Sequence, residues 1–106
     1  MKVRNLTVTA KPDGHGGVEW KIGDVLANSA NWRAKQYAQQ LVNPKTKDGF
    51  LFGTWAREDG FEVILRAEAG GFTLEIQESS APKASESFSF EEGAKLGEFM
   101  LANIRE

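Results

Sequence analysis

Gly70-Gly71-Phe72-Thr73-Leu74-Glu75-Ile76-Gln77 alternates apolar and polar residues without a break. Phe72, Leu74 and Ile76 fall on one side of an extended chain and Thr73, Glu75 and Gln77 on the other, the period-two pattern of a strand with one buried face. The Gly-Gly pair ahead of it supplies a tight turn, because glycine takes positive φ at no steric cost. Just upstream, Val63 and Leu65 alternate against Glu62 and Arg66, and only Ile64 interrupts, as it would under a second layer. Residues 50–55 supply a further strand across Glu58-Asp59-Gly60, whose Asp-Gly pair suits a type I′ hairpin turn. Three strands joined by tight turns make an antiparallel meander.

The N-terminal part begins in the same way. Leu6, Val8 and Ala10 alternate with Thr7 and Thr9, and Val18, Trp20 and Ile22 alternate with Glu19 and Lys21. Between these two strands, residues 11–17 (Lys-Pro-Asp-Gly-His-Gly-Gly) have turn chemistry. The period then changes: Ala30, Ala34, Tyr37, Ala38 and Leu41 recur at three-and-four spacing, which predicts a helix near 25–42. Asp24 or Ser29 is the candidate cap and Asn43-Pro44 the stop; whether residues 24–30 are helix or loop stays open.

Residues 78–87 read as a flexible loop. A second helix near 90–104 follows, with Ser89 and Glu92 at capping-box spacing. Gly93 and Gly97 weaken it by about 1 kcal/mol each relative to Ala, but share one face and permit close approach of another element. The order is strand, strand, helix, three strands, helix: an α+β fold with a mainly antiparallel sheet of five to six strands. No internal repeat or linker stands out, so residues 1–106 are read as one domain.

With 106 residues the chain supports one core, and without cysteine it has no disulfide or thiolate metal site. The N-terminus lacks the apolar run of a signal peptide, and no stretch suits a membrane span, so a cytoplasmic protein is expected. Residues 1–48 carry eight Lys/Arg against four Asp/Glu, whereas residues 49–106 carry five against eleven. That asymmetry argues against a uniformly basic coat and leaves room for a local basic patch.

Catalysis has no visible address. His15, the one histidine, stands beside Asp13 in a glycine-rich turn, and catalytic groups need fixed, partly buried geometry. One His without Cys makes no His/Cys metal cluster, and no G-x-S-x-G elbow is present. The carboxylates of 58–62 and 75–78 are what solvated hairpin tips and strand edges carry. No enzyme activity, cofactor or metal is expected.

Binding has better material. Residues 20–57 interleave Trp20, Trp32, Tyr37, Phe50, Phe52 and Trp55 with Lys21, Arg33, Lys35, Lys45, Lys47 and Arg57. Rings stack on unpaired bases while cations follow phosphates, which is the requirement for single-strand binding. Lys47-Asp48-Gly49-Phe50-Leu51-Phe52 is similar to the basic-Gly-aromatic strand of cold-shock and related domains, with Asp48 where a small or basic residue is preferred. Most of these aromatics also suit a core, but Trp32 lies off the Ala34/Tyr37/Leu41 stripe and is expected at the surface. The candidate nucleic-acid contacts are Trp32, Arg33, Lys35, Lys45, Lys47 and Trp55. Leu96, Phe99, Met100 and Ile104 exceed one apolar stripe, and are the candidate contacts of a homodimer.

Residues 63–104, with Leu65-Arg66-Ala67-Glu68-Ala69-Gly70-Gly71-Phe72-Thr73-Leu74-Glu75-Ile76-Gln77-Glu78 and Phe88-Ser89-Phe90-Glu91-Glu92, resemble the end of the positive-cofactor type of transcriptional coactivator. The resemblance implies a curved sheet closed by a helix, in dimers that bind single-stranded DNA. The family's basic sheet residues are replaced here by Glu75, Gln77 and Glu78, so no binding residue is carried over. The expected function is non-enzymatic binding of single-stranded nucleic acid, or alternatively of a protein partner through exposed aromatics or an acidic sheet face, with no membrane role.

Overall fold

The computed structural model describes residues 1–10, 17–43, 50–55, 61–68, 70–79 and 81–104; for 50–55 and 61 it describes the backbone alone. Four strands open the chain: β1 (Lys2–Val3), β2 (Leu6–Ala10), β3 (Val18–Ile22) and β4 (Val25–Ser29). Helix α1 (Asn31–Val42) follows, and the pattern then recurs as β5 (Phe50–Trp55), β6 (Phe61–Glu68), β7 (Gly71–Glu78), β8 (Ala81–Phe88) and α2 (Phe90–Asn103). Each set of strands is a four-stranded antiparallel meander in sequence order. The expected α+β class with antiparallel sheet therefore holds, with more strands than the five to six anticipated.

Two segments account for most of the difference. Residues 25–29, open between helix and loop, are β4, and the helix begins only at Asn31. Gly23 (φ 59) and Asp24 form a two-residue turn, after which Ala27 and Ser29 point inward, so local hairpin chemistry takes this stretch from the helix. Residues 81–88, expected within a flexible loop, pair with β7 along its length. Their Ala/Pro/Lys/Ser composition suits an edge strand, where one side needs no partner; Pro82 sits at its start, beside a register shift between Ile76 and Gln77. The turns expected at 11–16 and 58–60 lie outside the described residues.

The chain is thus two ββββα units in series, a repeat that the sequence reading did not resolve. One detail marks the two units as equivalent. Gly17 (φ 64) and Gly71 (φ 152) each stand at the start of their unit's third strand, against the carbonyl that ends the fourth. A Cβ would lie 1.9 Å from Ser29 O at Gly17 and 2.3 Å from Phe88 O at Gly71, so only glycine fits either place.

A single core joins both units. Leu6, Val8, Val18, Trp20 and Ile22 from the first sheet meet Val63, Leu65, Phe72, Leu74 and Ile76 from the second, with Tyr37, Leu41, Leu96 and Met100 from the helices. The Trp20 and Tyr37 rings pack edge to face with centroids 5.4 Å apart, and the Tyr37 hydroxyl donates to the Val63 carbonyl of the other unit. The Trp20 indole Nε1–H donates to Ser29 Oγ at 2.9 Å, which removes Ser29 from the capping role proposed for it. Helix α1 instead starts at Ala30 with no side-chain cap. Gly93 lies on the Phe72 ring and Gly97 on Ala38 O and Leu41 Cβ, so the two glycines do allow the close approach their spacing predicts.

Candidate nucleic-acid interface

Helix α1 buries Ala34, Tyr37, Ala38 and Leu41. At 100° per residue Trp32 falls on the opposite side, and the residue is 56% exposed. The Arg33 guanidinium lies 4.2 Å from the Trp32 ring centroid, a cation–π distance, while its Nη1 donates to Gln36 Oε1 at 3.3 Å. Lys35 follows on the next turn, half-buried. The structure therefore brings together Trp32 and Arg33, with Lys35 close in sequence. Lys45 and Lys47 lie outside the described residues; Trp55 is placed by its backbone only, paired with Glu62. Trp20 and Tyr37 are core residues, and the side chains of Phe50 and Phe52 lie outside the described set.

The two helix N-termini differ sharply in charge. In α1 the first turn holds no acidic residue and Ala30 provides no side-chain cap, so no carboxylate of that turn offsets its positive dipole end beside Trp32 and Arg33. In α2 the predicted capping box is complete: Ser89 N donates to Glu92 Oε1 and Glu92 N to Ser89 Oγ, both at 3.0 Å, with Glu91 alongside. Arg4, at φ 55 on the β1–β2 tip, donates to Glu92 at 3.0 Å and ties the first hairpin to the last helix. The Ser89 backbone N–H, followed by Arg4, holds the Glu92 carboxyl below the usual glutamate range. No local pattern announces a pair 88 residues apart.

Because each part of the sequence builds its own sheet, the charge asymmetry survives in space. Among the described residues the first unit carries five Lys/Arg against two Asp/Glu, and the second three against eight. A shallow cleft of about 210 Å³ between the start of β7 and the end of β8 has Arg4 and Glu68 on its walls, one charge of each sign. Glu75, in the carboxylate-rich stretch, accepts from Gln77 Nε2 at 2.7 Å, and His15 lies outside the described residues. Among the described residues no three His, Cys, Asp or Glu side chains converge on a metal position.

Of the four proposed homodimer contacts, two are out of a partner's reach. Leu96 and Met100 are fully buried between α2 and the rest of its own chain, and Phe99 and Ile104 pack half-buried against the same core. Their wide apolar arc is consumed by the two-unit core, which a single-sheet reading of the sequence does not foresee. The large apolar side chain that this helix leaves exposed is Leu101. No described helix is long and apolar enough to cross a membrane. Models of protein families, curated proteins and solved structures provide no match to this chain.

Proposed function

We propose that the chain is a non-enzymatic binding domain for single-stranded nucleic acid, with Trp32, Arg33 and Lys35 at the centre of its site. One observation carries this reading: a tryptophan more than half exposed, with a guanidinium over its ring, at a helix N-terminus free of acidic residues. An exposed indole is costly to leave in water and offers a stacking face for any base; the adjoining cation suits the following phosphate. The excess of Lys/Arg on this unit favours the approach of an anionic strand. A protein partner is the second reading, favoured by the carboxylate-rich surface of the other unit.

Titration of tryptophan fluorescence with a mixed-sequence DNA oligonucleotide tests the proposal. Trp20 is buried, so Trp32→Ala identifies the quenched ring. The expected result is an affinity loss of about tenfold or more with an unchanged thermal midpoint, since stacking contributes about 1–3 kcal/mol per base. Paired Lys45→Glu and Lys47→Glu changes weaken binding most at low salt. Absence of binding by the wild-type protein at low ionic strength ends the nucleic-acid reading.

A further inference from the structure

Each sheet has one face in the core and one outside. On the outer face of the first sheet, Lys2, Thr7, Lys21 and Leu26 are direct cross-strand neighbours in one row from β1 to β4. Lys2, Lys21 and Leu26 are exposed, Leu26 by 44%. On the outer face of the second sheet, Ile64, Glu75 and Ser85 form a row from β6 to β8, and Glu62 stands two residues along β6 from Ile64. These are half-exposed or exposed. Among the described residues, Lys2, Lys21, Glu62 and Glu75 take part in no ion pair.

We infer that the outer face of the first sheet docks on the outer face of the second sheet of another copy, head to tail. Three features select a second copy as the occupant. The net charges are opposite: Lys2 and Lys21 outweigh Glu19 on the first face, and Glu62 and Glu75 stand beside an Arg66 already paired with Glu68 on the second. Each face sets its central charge directly beside an exposed or half-exposed branched aliphatic residue, Lys21 beside Leu26 and Glu75 beside Ile64. The spacing also matches, because both couples are direct cross-strand neighbours, about 5 Å apart at Cβ. Leu26 therefore covers Ile64 while Lys21 meets Glu75. Such a contact joins different faces, so it leaves one free face of each kind at the ends and extends into short chains unless its rotation closes a ring. It does not involve Trp32 and holds whether or not the chain binds nucleic acid.

Sedimentation velocity of the full chain tests this. At an ionic strength of about 10 mM, where charges act over about 30 Å before they are screened, the weight-average mass rises with protein concentration; at about 1 M it returns to the monomer. Lys21→Glu alone and Glu75→Lys alone are each monomeric at low salt. An equimolar mixture of the two associates again, because the reversed faces complement each other and so do the unaltered ones; recovery also shows that both variants fold. A wild-type protein that stays monomeric at low salt overturns the inference, as does a mixture that fails to recover. A closed dimer indifferent to both reversals places the contact elsewhere and overturns it too. So does association seen only with added oligonucleotide and lost in Lys21→Glu, which assigns the first face to nucleic acid.

Discussion

The two ββββα units share a layout and differ in what they show to solvent. In both, a positive-φ glycine lets the third strand pass against the end of the fourth, and a helix then begins at once. In the first unit that helix starts at Ala30 with Trp32 and Arg33 in its opening turn; in the second it starts at Ser89 with Glu91 and Glu92. The first helix end has no acidic residue in its opening turn, whereas the second has two carboxylates, and Arg4 of the first unit is committed to one of them. Architecture here is common property, and an exposed indole with a guanidinium over it belongs to the first unit's helix. The lesson is that a repeated scaffold does not imply repeated sites.

The equivalence breaks hardest at the glycines. Gly17→Ala and Gly71→Ala each drive a methyl group into a backbone carbonyl and force an unfavourable φ, so each is expected to destabilise by about 3 kcal/mol or more, read as a fall in urea midpoint. If either is silent, the two positions are not equivalent. Next comes Ser29→Ala, which has no hydrogen-bonding counterpart at Phe88 in the second unit. It leaves the buried Trp20 indole N–H without an acceptor and is expected to cost about 1–3 kcal/mol in the same measurement.

The caps sharpen the comparison more gently. Ser89→Ala removes the cap of α2 and costs about 1 kcal/mol, while Ala30→Ser offers α1 a cap it lacks and stabilises by a fraction of that. Thermal midpoints of the pair decide the point; no gain from Ala30→Ser would mean that the start of α1 is capped by other means. The smallest effect is in acid. Glu92 has a lowered pKa in the folded chain, so its contribution is present above the ordinary glutamate pKa and is lost as pH falls through the folded value. Glu92→Gln is expected to flatten the decline of urea midpoint over that interval, the variant lying below wild type at neutral pH and converging on it in acid.

Much of this fold was legible because local pattern and final environment agree. Phe72, Leu74 and Ile76 alternate in sequence and are buried in the structure; Ser89 and Glu92 have capping-box spacing and form the box; Trp32 lies off the apolar stripe and is exposed. Residues 81–88 were opaque for the opposite reason: their composition favours turns, and only pairing with β7 makes them a strand. The repeat was hidden by divergence around a short signal. Gly16-Gly17-Val18-Glu19-Trp20-Lys21-Ile22 and Gly70-Gly71-Phe72-Thr73-Leu74-Glu75-Ile76 share two glycines, an alternating apolar set and a terminal isoleucine. Aligning them would have placed a fourth strand before each helix. The site was legible in part: Trp32 and Arg33 are adjacent in sequence and touch, whereas the contributions of Lys45, Lys47 and Trp55 depend on residues or side chains outside the described set.

The hydrogen bond from Tyr37 to Val63 has a consequence in time. Its donor leaves the ribosome 26 residues ahead of its acceptor, so at about 5–20 residues per second the first unit exists for about 1–5 s with a phenol that has no carbonyl to meet. During that interval the Trp20–Tyr37 ring contact can form, but the hydroxyl must keep a water molecule that the finished protein excludes. The nascent first unit therefore lacks a bond that its folded counterpart has, and synthesis of β6 supplies the acceptor.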